Sequence, residues 1–280
     1  MTLDELYHQS LKQLKNVQIE EINVRILLCE INGLNSMSDF YIHKDDEIKD
    51  LRRFNEYFER FLKGEPIQYI LKKSNFYGYD FYVDKRVLIP RMESEEVISY
   101  AIDKYYELFD LDQPTIVDVC CGSGCLGITL SRCLNAKKLY LSDISQNALD
   151  VVKKNLGIHG LEGELFKGDC LSEVIKNNVK CDVLIANPPY IIKKEDVDEA
   201  VKKHEPHVAL FSNKKLSVYD HIISNLTKVA NKPFLAIFEI GYDIKPMLDV
   251  MVRKYLPKAE YEFAKDINGN FRILSIYLKK

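Results

Sequence analysis

Long apolar runs are missing from this sequence of 280 residues. A membrane-spanning helix needs about 20 consecutive apolar residues, and no stretch of the chain reaches that length. The N-terminus reads Met-Thr-Leu-Asp-Glu and has neither the hydrophobic core of a signal peptide nor the arginine-rich pattern of a transit peptide. We therefore predict a cytoplasmic protein without a membrane partner.

The sequence also carries little net charge. Lys and Arg total 39 and Asp and Glu total 42, which gives a formal net charge of -3 at pH 7. Proteins that bind duplex nucleic acid usually show a basic excess, so no direct nucleic-acid partner is expected. The net charge does not exclude a local basic patch. The lysine pairs at 193–194, 202–203 and 214–215 are interpreted as solvated surface.

Metal-ligand spacing is absent as well. The number of cysteines is odd, seven, without the paired spacing of a zinc site, and none of the six histidines stands at ligand spacing. Cys120 and Cys121 are adjacent and would rarely bind one ion together, so small buried side chains are the simpler interpretation. We predict no metal site and a reducing compartment.

A hydrophobic content of 46% is enough for a full core, and the length indicates one larger and one smaller domain. Residues 2–5 read as a capping box that begins a first helix. A second helix is predicted from Ile19 to Ile31 and a third from about Asp45 to Leu62. Residues 1–72 are therefore predicted to form a small helical domain, which either stabilises the chain or docks a macromolecular substrate.

Residues 73–92 are predicted to be a linker with two strands, because positions 76–83 alternate in the manner of a β-hairpin. Ser94 is predicted to cap the helix that follows. Arg91 and Glu95, with Glu93 between them, suit two interpretations, and both stay open. They either form a surface ion pair that contributes little or belong to an active-site lid.

From Thr115 the pattern becomes strand, turn, helix, which predicts a parallel sheet over residues 93–280. A buried strand at 115–119 leads into the turn Cys120-Cys121-Gly122-Ser123-Gly124, whose glycines allow close approach of a ligand. The next strand ends in Asp143, whose carboxylate suits the two hydroxyls of a ribose; the alternative is that Asp143 caps the helix near Gln146.

Three further predicted strands follow these two. Asp169 and Cys170 end the first of them and are placed to meet an adenine edge. The second, at 182–186, ends at Asn187, and the third spans Pro233 to Ile240. Two last strands, at 261–265 and 272–278, are joined by an Asn-Gly turn, so one edge of the sheet is expected to carry a reversed strand.

The segment Asn187-Pro188-Pro189-Tyr190 contains groups that can hold and activate a planar nitrogen. Two prolines end the strand, and the residue before a proline is held extended, so Asn187 is fixed at the edge where open α/β sheets bind ligands. The Asn187 side-chain oxygen and the Pro188 carbonyl can accept the N–H groups of a planar nitrogen and localise its lone pair. Tyr190 can cover that planar group. The segment resembles the signature of S-adenosylmethionine-dependent methyltransferases that methylate planar nitrogen.

A wider resemblance covers nearly the whole chain. Segments at 64–69, 88–91, 118–124, 187–190, 205–206 and 239–242, together with Asp143, occur in the order seen in the bacterial PrmC (HemK) family. These enzymes are protein N(5)-glutamine methyltransferases that act on class-1 peptide chain release factors. The resemblance implies an α/β, Rossmann-like, seven-stranded S-adenosylmethionine-dependent methyltransferase domain preceded by a small helical domain.

The resemblance also implies roles for particular residues. Cys120, Cys121, Gly122, Ser123 and Gly124 would line S-adenosyl-L-methionine, Asp143 would hold its ribose, and Asp169 and Cys170 its adenine. Asn187 would meet both the cofactor and the substrate. With Pro188, Pro189 and Tyr190 it would hold the glutamine of the Gly-Gly-Gln motif, and Asn187, Pro188 and Tyr190 would be catalytic.

Two positions depart from the family pattern. Cys120 stands where many members have glycine, so the close approach of this turn to the cofactor does not carry over directly from the family. Met92 and Glu93 replace the usual Pro-Asp, so the role of the segment after Arg91 does not carry over.

Three other functions stay open on the sequence. The first is methylation of an amino group on a base flipped out of nucleic acid, and the second is methylation of a glutamine in a ribosomal protein. The third belongs to a different class of protein, a non-catalytic S-adenosylmethionine-binding scaffold whose helical domain docks a partner.

Overall fold

The computed structural model describes residues 1–14, 21–110, 112–191, 199–210 and 216–279. It forms two compact units, Met1–Lys73 and Ser74–Lys280. Within the described ranges, no helix is long and apolar enough to cross a membrane.

The first unit is helical. Thr2 Oγ1 accepts from Glu5 N at 3.2 Å and Glu5 Oε2 accepts from Thr2 N at 2.9 Å, so the capping box is confirmed. The buried rings of Phe54 and Phe58 stack with centroids 5.5 Å apart in the core. The helices are α1 (Leu3–Leu14), α2 (Ile22–Asn32), α3 (Met37–Ile42), α4 (Leu51–Leu62) and α5 (Ile67–Leu71).

The predicted helix starts need one correction. α4 begins at Leu51 and not near Asp45, because the Asp50 side chain caps it by accepting from Arg53 N at 2.9 Å. The preceding residues bond to the N-terminus instead, with Leu3 N donating to the Asp46 carbonyl at 3.0 Å. The predicted start of α2 at Ile19 lies outside the described residues.

The second unit opens with a hairpin of β1 (Ser74–Phe76) and β2 (Tyr79–Phe81). Its two loop residues, Tyr77 and Gly78, have φ of +52° and +77°, which is the conformation of a type I′ turn. The alternation of residues 76–83 predicted this hairpin, which begins two residues earlier than that pattern.

A seven-stranded sheet forms the body of this unit, in the order β5-β4-β3-β6-β7-β9-β8. The pairs among β3 to β7 are parallel, and β9 is antiparallel to both β7 and β8. The Rossmann-like fold is therefore confirmed, and the reversed strand, β9, lies one position in from the edge that β8 forms. The strands are β3 (Thr115–Val119), β4 (Lys138–Asp143), β5 (Glu164–Lys167), β6 (Cys181–Ala186), β7 (Ala230–Glu239), β8 (Glu260–Lys265) and β9 (Phe271–Leu278).

Helices cover both faces of the sheet, which explains why its central strands are continuous hydrophobic runs. Residues of α6, α7 and α8 form a core cluster on one face, and residues of α9, α12 and α13 form one on the other. The helices of this unit are α6 (Met92–Leu108), α7 (Cys125–Cys133), α8 (Gln146–His159), α9 (Ser172–Lys176), α10 (Glu199–His204), α11 (His207–Leu210), α12 (Ser217–Val229) and α13 (Lys245–Tyr255).

Candidate active site

A cavity of about 260 Å³ opens at the carboxyl ends of the parallel strands. This is the edge at which open α/β sheets bind ligands. Three of the predicted site residues, Gly124, Pro188 and Tyr190, are not among the residues that line the cavity. Nine of the predicted site residues line the cavity: Cys120, Cys121, Gly122, Ser123, Asp143, Asp169, Cys170, Asn187 and Pro189.

The two glycines of the turn after β3 serve different purposes. Gly122 has φ of +54°, and a Cβ added there would project into open space along the cavity. Gly124 has φ of +79°, and a Cβ there would press on the side chains of Ile128, Leu141 and Val152 at 3.2–3.3 Å. Gly122 therefore leaves room for a ligand, whereas Gly124 lets α7 pack against β4 and α8.

Cys120 precedes these glycines and has φ of +60°. A residue with a Cβ in this left-handed region is strained by about 1–3 kcal/mol, so the backbone here has the shape that glycine adopts freely. Burial, with the nearby Asp143 carboxyl, raises the pKa of the Cys120 thiol well above its usual value. The side chain is therefore a neutral thiol at physiological pH.

Asp143 ends β4 and holds the turn in place. Its Oδ2 accepts from Gly122 N at 3.0 Å and its Oδ1 accepts from Ser145 N at 2.8 Å. Burial raises the pKa of this carboxyl, and the backbone donors oppose that shift. The cap of α8 is Ser145, whose Oγ accepts from Ala148 N at 3.3 Å, so the alternative that Asp143 caps this helix is wrong.

Asp169 and Cys170 lie in the loop after β5, which ends at Lys167, and not at a strand end as predicted. Asp169 is exposed at the cavity, whereas Cys170 is buried with φ of +50°. The Cys170 carbonyl accepts from Ser142 Oγ at 3.0 Å. Both residues nevertheless reach the cavity because this hydrogen bond ties the loop to the end of β4.

The Asn-Pro-Pro-Tyr segment turns away from the sheet directly after β6. Asn187 is half-buried and its side chain is hydrogen-bonded to the carboxyl group of Glu239. Pro188 is buried, and its carbonyl oxygen lies 3.4 Å from the Tyr219 hydroxyl. Burial raises the pKa of Tyr190 to about 12, so this phenol stays neutral.

Tyr190 packs against a backbone segment that has no room for a side chain. A Cβ added at Gly241 would lie 2.9 Å from Tyr190 Cδ2, a distance that real Cβ contacts do not show. The glycine after β7 therefore allows the ring of Tyr190 to lie against the end of that strand.

The segment around Arg91 does not form the predicted surface ion pair, and its assignment to an active-site lid stays a prediction. Arg91 Nη2 donates to Glu205 Oε1 at 2.6 Å, and the Glu205 side chain is 2% exposed. Glu95 instead accepts from Tyr77 N at 2.9 Å, so the predicted Arg91–Glu95 ion pair is wrong. Because Arg91 and the residues after Glu205 both line the cavity, the Arg91–Glu205 pair fastens one side of the cavity to the other.

Ser94 was also predicted wrongly. It is the third residue of α6 rather than its cap, and its Oγ donates to Glu239 Oε2 at 2.5 Å. Glu239 is 2% exposed and ends β7. Sequence reasoning gave Glu239 no role, although a carboxylate that ends a buried strand beside Asn187 was the available signal.

Gly127 is a second residue that the sequence did not indicate. Asp118 is fully buried, and its Oδ2 accepts from Gly127 N at 2.9 Å. A Cβ at Gly127 would lie 2.7 Å from Asp118 Cβ. Glycine at this position therefore lets α7 approach β3 closely enough to form that hydrogen bond.

The fold and this edge of the sheet are those of an S-adenosylmethionine-dependent methyltransferase. A family model described as "Methyltransferase small domain" matches residues 105–204, and one described as "PrmC N-terminal domain" matches residues 5–71. The chain belongs to the family of release factor glutamine methyltransferases.

Three curated relatives support that membership. The protein of that name from Staphylococcus aureus is 36% identical over 85% of this chain and 86% of its own length. Those from Mycoplasma mycoides subsp. mycoides and Bacillus subtilis are 38% identical over 84% of this chain and 81% of the relative, and 35% over 82% of each.

Solved structures agree on the fold. A ribosomal protein L11 methylase from Lactobacillus delbrueckii subsp. bulgaricus has a TM-score of 0.51 and 18% identity over 74% of this chain and 89% of that one. A Thermus thermophilus 16S rRNA methyltransferase, solved in complex with AdoMet and guanosine, has a TM-score of 0.53 and 11% identity over 74% of this chain and 50% of that one. At these identities the likeness concerns the fold alone.

Proposed function

We propose that the chain transfers a methyl group from S-adenosylmethionine to the side-chain amide nitrogen of the glutamine in the Gly-Gly-Gln motif of class-1 peptide chain release factors. The observation that carries this proposal is that Asn187, the first residue of the Asn-Pro-Pro-Tyr segment, lines the cavity in a chain of the release factor glutamine methyltransferase family. Because such a substrate acts in translation, we place the reaction in the cytoplasm.

The cavity suits S-adenosylmethionine on its own geometry. Gly122 leaves open space where any larger residue would project a side chain. The two Asp143 oxygens each accept one backbone N–H and keep a lone pair for the hydroxyls of a ribose. Ile144 is 55% exposed and lines the cavity, so it offers an apolar surface to a planar base.

We assign the remaining cofactor contacts to the residues around this space. Cys120, Cys121 and Ser123 complete the turn, Gly124 holds it against the sheet, and Asp169 with Cys170 lies on the adenine side. Bound S-adenosylmethionine supplies an electrophilic methyl group on a sulfonium. The carboxylates of Asp143 and Asp169 favour that positive charge.

The chain's own residues then prepare the nitrogen for attack. An amide nitrogen is a poor nucleophile because its lone pair is delocalised into the carbonyl group. Asn187 Oδ1 and the Pro188 carbonyl would each accept one N–H of the glutamine amide, which localises that lone pair and holds it in position. Tyr190, half-buried beside them, would lie along the amide plane with Pro189.

The balance of the step needs no strong base. The amide nitrogen forms its bond to the methyl carbon while the bond from that carbon to sulfur breaks. The methylated nitrogen is then cationic and loses its proton readily to solvent. Asn187 and Pro188 therefore act by orienting the amide. The phenols of Tyr190 and Tyr219 stay neutral, which agrees with a step that uses no strong base.

The division of the chain also enters the proposal. We assign residues 1–72 to substrate docking, 73–92 to a linker that contains the hairpin, and 93–280 to catalysis. The match of residues 5–71 to the PrmC N-terminal domain supports a role for the first segment within this family. The proposal includes no direct nucleic-acid partner.

The test is transfer of labelled methyl from S-adenosylmethionine to a purified release factor. A version with Gly-Gly-Ala, a ribosomal protein and bulk nucleic acid serve as alternative acceptors. Label on the Gly-Gly-Gln version alone is expected. Label on nucleic acid or ribosomal protein instead would overturn the substrate, and cofactor binding without any transfer would favour a non-catalytic scaffold.

One substitution tests the site itself. Asn187→Ala should lower kcat by about 100-fold or more, while the Kd for S-adenosylmethionine changes by less than about threefold. Asn177→Ala, at an exposed position after α9, is the matched control and should keep wild-type turnover. Wild-type turnover in Asn187→Ala would remove Asn187 from the mechanism.

A further inference from the structure

Glu239 and Asn187 lie side by side at the carboxyl edge of the sheet. β6 and β7 are parallel, and Ala186 is paired with Phe238. The residues that follow this pair are Asn187, directly after β6, and Glu239, the last residue of β7, so the two lie at the same level along the strands. Glu239 is 2% exposed, and its carboxyl group is hydrogen-bonded to the Asn187 side chain.

The Glu239 carboxyl group has two side-chain hydrogen bonds that shape its role. Ser94 Oγ donates to Oε2 at 2.5 Å, and the side chain of Asn187 donates to the same carboxyl group. The backbone carbonyl of Glu239 accepts from the Tyr219 hydroxyl at 2.6 Å, and that hydroxyl also lies 3.4 Å from the Pro188 carbonyl. Glu239 therefore connects α6, β7 and both groups proposed to hold the substrate amide.

An asparagine amide has a donor end and an acceptor end of nearly the same size. The proposed reaction needs the acceptor end, Oδ1, turned toward the substrate. An ionised carboxylate can only accept hydrogen bonds, so it selects the Nδ2 end of Asn187 and leaves Oδ1 free. The Pro188 carbonyl also only accepts hydrogen bonds, but in the proposed reaction it is occupied by the substrate amide. The Tyr190 phenol can both donate and accept. Neither group therefore selects one end of the Asn187 amide.

We propose that Glu239 is a positioning residue, which as a carboxylate holds Asn187 with its Nδ2 toward Glu239 and its Oδ1 toward the substrate amide. This rests on the methyl-transfer reaction proposed above. Glu239 does not touch the substrate, and it acts through Asn187.

This role makes turnover depend on the ionisation of Glu239. Burial raises the pKa of Glu239, and the hydrogen bond from Ser94 and the charge of Arg272 oppose that shift. Glu93 on α6 adds negative charge nearby, Tyr190 and Tyr219 face the same group, and Arg272 on β9 is itself paired with Asp266 at 3.3 Å. A protonated Glu239 could donate to Asn187 Oδ1 and occupy the oxygen that the substrate needs, so kcat should fall as pH falls through the folded pKa of Glu239.

The first test compares Glu239→Gln with the wild type on the release factor substrate. Glutamine keeps the size of the side chain but can donate as well as accept, so it no longer selects one end of Asn187. We expect kcat to fall about 10- to 100-fold, KM for S-adenosylmethionine to change less than about threefold, and the acidic limb of the kcat profile to disappear. Glu164→Gln, exposed at the start of β5, is the matched control and should behave as wild type.

The second test uses Ser94→Ala, which leaves Glu239 in place. Loss of the charge-assisted hydrogen bond should raise the pKa of Glu239 and move the acidic limb upward by about one pH unit. The same shift should appear in a ¹³C NMR titration of the Glu239 carboxyl, a readout independent of turnover. Because this substitution is small, it also decides the question where Glu239→Gln fails to fold.

The outcomes separate the two proposals. Wild-type transfer to the Gly-Gly-Gln glutamine with unchanged kcat in Glu239→Gln would overturn the role of Glu239 and leave the function intact. A lower kcat with the acidic limb retained, or a limb that does not move in Ser94→Ala, would show a merely structural residue and overturn it as well. Absence of wild-type transfer to the release factor would overturn both.

Discussion

Replacing Asp118 with asparagine should stabilise the protein at alkaline pH and change its stability little at acidic pH. Asp118 is fully buried under the turn after β3, and its Oδ1 has no hydrogen-bond partner among the residues that the structure describes. Burial raises the pKa of this carboxyl to about 8, although the hydrogen bond from Gly127 N opposes that rise. Asp118 therefore keeps its proton in the folded protein at neutral pH.

The magnitude follows from proton linkage. In the unfolded chain the pKa of Asp118 returns to 3.8, so between about pH 4 and pH 8 the folded state binds more protons than the unfolded state. The free energy of unfolding then falls as pH rises, at about 1.4 kcal/mol per pH unit. Between pH 5 and pH 8 this amounts to about 3.6 kcal/mol, a large part of the roughly 5–15 kcal/mol that stabilises a typical domain.

Asparagine reproduces the protonated carboxyl, since its oxygen can still accept from Gly127 N, and it does not titrate. The assay is urea unfolding of both proteins at several pH values from 5 to 8, with the difference in free energy of unfolding plotted against pH. Other titrating groups cancel in that difference. Asp103→Asn, at an exposed position of α6, should show no such slope, and parallel curves for Asp118→Asn and wild type would refute the reasoning.

Two further substitutions test strain and charge at the same edge of the sheet. Cys120→Gly should raise the free energy of unfolding by about 1 kcal/mol, because glycine relieves the left-handed φ of +60°. The control, Cys121→Gly, removes a buried side chain at a position without positive φ and should lower the free energy of unfolding. A loss of stability in both variants would contradict the strain argument. Arg91→Ala should lower the free energy of unfolding by about 2 kcal/mol in urea titrations, less than a fully buried pair loses because Arg91 is 36% exposed. In a Glu205→Gln background the same change should cost less than half as much, and an equal cost in both backgrounds would show that the pair is not coupled.

The fold was largely predictable because its signals are local. The strand predicted at 115–119 is β3, and the strand predicted at 182–186 differs from β6 by one residue. Central parallel strands are hydrophobic on both faces and end at glycine or proline, so sequence alone marks both their position and their limits. The start of α4 failed because residues before Asp50 bond to residues near the N-terminus, and no local pattern records such a contact.

The residues of the candidate site also divide into those that a local pattern predicts and those that it does not. The turn from Cys120 to Gly124 and the end of β4 form the side of the cavity to which we assign the cofactor, and each is a short segment whose residue types reveal it. The other side depends on residues far apart in the chain, with Ser94 and Glu239 separated by 145 positions and Arg91 and Glu205 by 114. Ser94 was assigned to a helix cap, and Arg91 to a pair with Glu95, because sequence reasoning favours the nearest partner.

The Asn-Pro-Pro-Tyr segment illustrates what a motif leaves open. Its prolines fix where Asn187 stands, but they do not determine which end of the amide faces the cavity. That choice needs a neighbour that accepts and never donates, and the parallel pairing of β6 with β7 brings Glu239 to that place. The proposed orientation of Asn187 therefore depends on a carboxylate on a neighbouring strand. In the mechanism we propose, Asn187 provides the oxygen that binds the substrate amide, and Glu239 turns that oxygen toward the substrate.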